Sequence, residues 1–159
     1  MTILPIAQEN NTEIARVIRS VLEEFGVNKP GTVYTDPTTD QLFELFESVS
    51  KSAYFVLEMN GKLVGGCGIF PTEGLDADCV ELVKLYLLKE HRGKGIGEEL
   101  IRRSLLEAKN MGFEKVYLET LPELHNAIGL YEKMGFNRLE KPLGNSGHFA
   151  CDLWMLKEI

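Results

Sequence analysis

This chain has no apolar run approaching the ~18 residues of a membrane span, and no basic-then-apolar start of the kind that marks a secretory signal. Cysteine is scarce. Cys67, Cys79 and Cys151 show no C-x-x-C pairing and no histidine at metal-ligand spacing, which argues against a disulfide framework and against a zinc site. Cys67 and Cys79 fall in predicted strands, where a reduced thiol behaves as a small apolar residue. A surplus of positive charge is missing too: 24 acidic side chains against 17 basic ones leave a net charge of −7. Nucleic acid is therefore not an expected partner. Repeats, low-complexity stretches and linkers long enough to separate domains are also absent. These absences lead to the expectation of a cytoplasmic protein with no membrane partner and no metal, folded as one domain over residues 1–159.

What is present is an ordinary globular composition, 44% apolar and 26% charged, in a chain long enough to bury its own core. Ile3–Ala7 reads as a short strand. Asn10, Asn11 or Thr12 caps a helix in which Ile14, Val17, Ile18, Val21, Leu22 and Phe25 keep the 3.6 period, and Gly26 ends it. Residues 27–36 form a loop, and a second helix follows Pro37 with Leu42, Phe43, Leu45, Phe46 and Val49 as its stripe. Ala53–Met59 and Lys62–Phe70 are strands joined by an Asn60-Gly61 hairpin turn. Asp78–Leu88 is a strand, Ile96–Met111 a helix, Glu114–Thr120 a strand and 123–134 a helix. Phe136–Glu140 and His148–Lys157 are the last two strands. This order predicts an α/β fold, with a central mixed sheet of about seven strands and about four helices on its two faces.

The segment 80–97 reads Val-Glu-Leu-Val-Lys-Leu-Tyr-Leu-Leu-Lys-Glu-His-Arg-Gly-Lys-Gly-Ile-Gly, and an amphipathic helix follows at once. A strand thus runs into a basic, glycine-rich loop that opens a helix, which is a way for backbone to grip a pyrophosphate. Gly93, Gly95 and Gly97 carry no Cβ to obstruct a phosphate, and the free N–H groups of the first helical turn point at an anion. Arg92 and Lys94 add charge. The spacing is not that of a P-loop, because Gly95 rather than Ser or Thr follows Gly93-Lys94 and Lys89 stands where the earlier glycine belongs. A dinucleotide fingerprint fails at Glu98 or Leu100, depending on the starting glycine. Glu119 does stand where a ribose-binding acid would, but Lys89–Arg92 separate the strand from the glycines.

Arg92-x-x-Gly95-x-Gly97 after a strand resembles the coenzyme A loop of the GNAT acyltransferase superfamily. A second block, Ala127-Ile128-Gly129-Leu130-Tyr131-Glu132-Lys133-Met134-Gly135-Phe136, is similar to that family's helix-then-strand segment. The two stand about 35 residues apart with one strand between them. The resemblance implies a mostly antiparallel sheet whose fourth and fifth strands splay apart to admit acetyl-coenzyme A. Leu85, Tyr86 and Leu87 would then offer backbone to the pantetheine arm, and Arg92, Gly93, Lys94, Gly95, Ile96 and Gly97 would hold the pyrophosphate. The implied activity is transfer of an acetyl group to a primary amine of a small molecule or peptide, by a monomer or homodimer. A non-catalytic acyl-coenzyme A sensor is the reading from another class.

The chemistry asks little of side chains. A backbone N–H at the splay, assigned to Leu87, can stabilise the oxyanion. Glu81, four residues before Leu85 on an alternating strand and hence on its face, is the candidate base, acting through water. A solvated carboxylate, or one paired with Lys84, is its other reading. Resemblance places the Tyr131 hydroxyl beside the departing sulfur as a proton donor; a helix aromatic packed on the sheet is the alternative. The asparagine that the family often carries before the alanine of this helix is here Leu124, and the role does not transfer to Asn126, which should point elsewhere. His91 either touches phosphate or is a solvated loop residue, and His125 starts a helix with no role assigned. His148 opens the last strand and either meets the acceptor or stands on the surface. The acceptor side should be formed by Asn28–Asp36 and Lys141–His148. There Tyr34 and Asp36 either receive an ammonium or start a helix at Asp36-Pro37.

Overall fold

The computed structural model describes residues Met1–Ile159. A seven-stranded sheet runs in the order β1-β2-β3-β4-β5-β7-β6. Its strands are β1 (Thr2–Pro5), β2 (Ala53–Met59), β3 (Lys62–Phe70), β4 (Cys79–Leu87), β5 (Lys115–Thr120), β6 (Asn137–Leu139) and β7 (Leu153–Glu158). Only β4 and β5 run parallel; every other neighbouring pair is antiparallel. The hairpin β2–β3 closes through Asn60 and Gly61, both with positive φ, as a two-residue turn requires. Pro5 is tolerated because β1 is an edge strand.

Helices cover both faces. On one lie α1 (Asn11–Glu24) and α2 (Leu42–Ser48), the latter entered through a 3-10 turn at Pro37–Gln41. Ile14, Val17, Ile18 and Leu22 of α1 are fully buried there with Leu42, Tyr54 and Val56. The spacing expected from the sequence is thus the face that packs, and each such side chain contributes about 1.5–3 kcal/mol by leaving water. On the other face lie α3 (Ile96–Asn110) and α4 (His125–Lys133). Leu100, Ile101 and Ala108 of α3 meet Val80, Val116, Leu118 and Met155 from the strands.

Three details differ from the sequence expectation. Asn10 and Asn11 do not cap α1 as predicted. Asn10 Oδ1 accepts from the Ala7 N–H, and Asn11 reaches across to Phe43 N and to Glu44 in α2. Helical spacing turns Leu105 inward with Leu100, Ile101 and Ala108, but Leu105 is only partly buried and Ser104 takes the inward place, its hydroxyl satisfied by Leu100 O at 3.0 Å. The last strand starts at Leu153 rather than His148. Residues 148–152 instead cross to the loop after α1, where Ala150 N–H donates to Gly31 O at 3.1 Å.

Candidate active site

The parallel pairing of β4 with β5 covers only Cys79↔Lys115, Val80↔Val116 and Glu81↔Tyr117. Beyond Glu81 the strands part, as the resemblance implied. The gap opens into a cavity of about 760 Å³, lined by Glu81–Leu87 of β4, by Glu119–Leu121 at the end of β5, and by residues of the glycine loop, α1 and α4. Leu88 N–H turns to β3 and donates to Val64 O at 2.9 Å. Successive N–H groups on a strand face opposite sides, so that of Leu87 is directed into the gap.

The glycines divide by role. Gly93 and Gly95 have φ of 72° and 77°, and a Cβ on either would meet nothing within 4 Å, so they supply a left-handed turn beside open space. Gly97 has ordinary helical geometry; a Cβ there would stand 3.1 Å from Leu130 Cδ2, so its smallness serves the contact of α3 with α4. Of the three, Gly93 and Gly95 face open space and Gly97 faces α4. The first main-chain bond of α3 runs from Glu99 N–H to Gly95 O at 3.2 Å. The N–H groups of Ile96, Gly97 and Glu98 therefore have no acceptor within the helix.

Neither basic side chain of the loop is free. Arg92 gives both terminal nitrogens to Glu24 at 3.0 and 2.8 Å, its Nε to Leu87 O at 2.7 Å, and lies 5.1 Å over the Phe25 ring. Lys94 Nζ donates to Glu90 O at 2.8 Å. Leu124 lines the cavity and so does Asn126, contrary to the expectation that it points elsewhere. That expectation assumes a helix beginning two residues earlier. A 3-10 turn over Pro122–Leu124 precedes α4, and Asn126, although exposed, contributes to the cavity lining.

Glu81 is 4% exposed and so is not solvated, and it makes no ion pair with Lys84, whose charge acts on it from farther off. Thr72 Oγ1 donates to its Oε2. Burial pushes its carboxyl up to about 7, with the nearby Glu119 charge acting in the same direction and the Thr72 bond opposing. It does not share a face with Leu85. Gly68 pairs with Val83 and Gly66 with Tyr86, so Lys84 and Leu85 together oppose Cys67 in a bulge where Lys84 has φ 52°. Tyr54 Oη pins that bulge at Lys84 O, 2.9 Å away. The extra residue inverts the alternation: Val80 and Leu82 share their core with Leu85 and Leu87, whereas Val83 and Tyr86 pack on the opposite face.

The bulge sends Lys84 toward the α1–α2 loop. Its Nζ lies 3.1 Å from Asp36 Oδ2, and His148 Nε2 lies 3.1 Å from the same oxygen. Asp36 also caps the turn after Pro37 through Thr38 N, as the helix-start reading has it, while the ammonium beside it is the protein's own Lys84 and not an acceptor's. Burial alone would raise the Asp36 carboxyl, but His148, the Lys84 charge and Thr38 outweigh it and hold it well below the usual range. The Tyr34 hydroxyl donates to Glu23 at 2.6 Å, and Tyr34 does not line the cavity.

Tyr131 lines the cavity from α4 with its ring edge-on to Phe136, 5.9 Å between centroids. Its hydroxyl makes no hydrogen bond within the protein, and burial pushes its pKa well above the ordinary tyrosine value, so it stays protonated. Glu119, which the sequence offers only as a ribose-binding acid, has a different place. It sits at the cavity wall with Tyr117 Oη on one oxygen at 2.8 Å and Ser146 Oγ on the other at 2.6 Å. The period-two spacing of Tyr117 and Glu119 on β5 is the signal that places them on one face.

Comparison with known proteins agrees with this architecture. Residues 17–136 match the acetyltransferase (GNAT) family. An uncharacterised N-acetyltransferase of Escherichia coli K12, YjgM, is 41% identical over 152 residues, spanning 95% of this chain and 90% of that protein. A GNAT-family acetyltransferase from Staphylococcus aureus Mu50 superposes with a TM-score of 0.86 at 17% identity, over 99% of this chain and 98% of that one. The PaiA N-acetyltransferase of Thermoplasma acidophilum, solved in complex with coenzyme A, superposes with a TM-score of 0.72 at 18% identity over the full length of both chains. By its family match and its Escherichia coli relative, this chain belongs to the acetyltransferase (GNAT) family.

Proposed function

We propose that this protein moves the acetyl group of acetyl-coenzyme A to a primary amine by direct attack in a ternary complex. The observation that carries this reading is the unpaired side of β4 beyond Glu81, which runs into the glycine loop along one continuous cavity. The residues fit such a cosubstrate. Leu85, Tyr86 and Leu87 take the pantetheine arm as a sheet edge takes a strand. The left-handed Gly93 and Gly95, with the free amides of Ile96 and Gly97, take the pyrophosphate. Asn126 adds an amide from α4.

In this reading the Leu87 N–H polarises the thioester carbonyl as the amine nitrogen attacks it. Glu81, with a carboxyl pKa near 7, accepts the proton that the amine loses. The new N–C bond forms, the C–S bond breaks, and the Tyr131 hydroxyl donates its proton to the departing sulfur. The test is thiol release from acetyl-coenzyme A with a panel of amines, with the product identified by mass. Amine-dependent release is the expected result. Binding of acetyl-coenzyme A with no release for any amine would instead make the domain an acyl-coenzyme A sensor.

A further inference from the structure

The cavity wall carries charges of both signs. Glu81 and Glu119 line it from adjoining strands β4 and β5. Tyr117 and Ser146 donate to the Glu119 carboxylate. Lys84 and His148 line the same cavity, while Asp36 does not. The donors that Asp36 receives all come from the protein itself: Lys84 and His148 on Oδ2, and Thr38 N and Oγ1 on Oδ1.

Hydrogen-bond capacity is left over on the two cavity-facing members. Lys84 has three N–H donors and spends one, although its side chain is only 5% exposed. His148 uses Nε2 alone. Asp36 already meets the ammonium's charge, but its unspent donors beside the cavity leave room for a second anionic group, while Glu119 on the same cavity suits a cation. Glu81 and Lys84 are three residues apart on a bulged strand, within about 10 Å. That leaves room for two hydrogen bonds and a ligand whose opposite charges sit close together.

Resting on the acyl-transfer reading above, we propose that the acceptor is a free α-amino acid, with its amine at Glu81 and Glu119 and its carboxylate at Lys84 and His148. A polyamine would bring a cation to Lys84 and His148, and a peptide N-terminus would leave them without a carboxylate.

The experiment measures kcat/KM by thiol release for the common amino acids, their carboxamides, their decarboxylated amines and short peptides. For the preferred amino acid, loss of the carboxylate charge should lower kcat/KM by about 10- to 100-fold, as loss of a charge-assisted hydrogen bond does. The doubly substituted Asp36→Asn/Lys84→Met protein avoids stranding a buried charge, and His148→Gln leaves the Asp36–Lys84 pair intact. In each, the ratio of acid to amide rates should fall toward one while calorimetric affinity for coenzyme A is unchanged. If the double variant fails to fold, His148→Gln and the wild-type comparison decide. Equal rates for acid and amide in the wild type would overturn the amino-acid assignment and leave acyl transfer standing. Coenzyme binding without thiol release from any amine would overturn both.

Discussion

Arg92 and Glu24 hold each other through two parallel hydrogen bonds, 3.0 and 2.8 Å long, which tie the glycine loop to the last residue of α1. A phosphate that takes the guanidinium must therefore displace a carboxylate. The pair is partly exposed and worth little on its own. Glu24→Gln should accordingly tighten coenzyme A binding by about two- to fivefold, measured by calorimetry at low salt. Unchanged or weaker binding would show Arg92 to be a tie for α1 and not a phosphate ligand.

Glu81→Gln tests the base. Loss of a general base should lower kcat by ~10²–10⁴-fold with coenzyme affinity kept. In the wild type kcat should rise with pH through about 7, as the buried carboxyl gives up its proton, and the variant should lack that limb. Stability carries the same signature with the opposite trend. The folded carboxyl binds its proton more tightly than the unfolded one, so this group's contribution is full at low pH and is lost as pH rises through about 7. The melting temperature of the variant relative to wild type should be higher at pH 8 than at pH 5. A constant difference would place Glu81 in water.

Tyr131→Phe keeps the ring against Phe136 and removes only the hydroxyl, which has no partner in the protein. Melting temperature should move little. kcat should fall while KM for acetyl-coenzyme A stays within a few-fold, as for an interaction made in the transition state. An acyl donor with a more acidic thiol should recover part of the loss. Equal rates for the two proteins would make Tyr131 a core aromatic.

Gly95→Val and Gly97→Ala separate the two kinds of glycine. A β-branched residue at φ 77° strains the loop, so coenzyme affinity should drop severely while the fold persists. A methyl at Gly97 meets Leu130 Cδ2 at 3.1 Å, a contact that a shift of a few tenths of an ångström in that side chain relieves and that the helix propensity of Ala offsets, so the melting temperature should move little. It should also change coenzyme affinity less than Gly95→Val does. If Gly95→Val binds coenzyme A as the wild type does, the pyrophosphate lies elsewhere.

Local chemistry is legible in the chain. Asn60-Gly61 between two apolar runs places the β2–β3 hairpin to the residue, because a tight turn depends only on its own φ values. Gly95 at the start of α3 is legible for the same reason. The bulge at Lys84 is not, since it is held by Tyr54 from another strand and nothing in Val83-Lys84-Leu85 announces it. Strict alternation then assigns Glu81 to the wrong neighbour. Asp36 and His148 are separated by 112 positions, and each looks complete as part of a local turn. Periodicity extends the last strand too far back because residues 148–152 bind the α1–α2 loop, a tertiary preference that no local pattern encodes.

Three residue pairs are all that join β1–β4 to β5–β7 along the sheet. So short a seam leaves the facing edges of β4 and β5 unpaired beyond Glu81, while a core shared by Val80, Val116 and Met155 keeps the two halves together. On the acyl-transfer reading, whatever lies in the gap becomes the missing member of the lattice. The amide of Leu87 should then exchange its hydrogen quickly in the resting protein and slowly in the loaded one. Loading the cosubstrate is, in that sense, the last act of folding, and it is undone each time the spent thiol leaves.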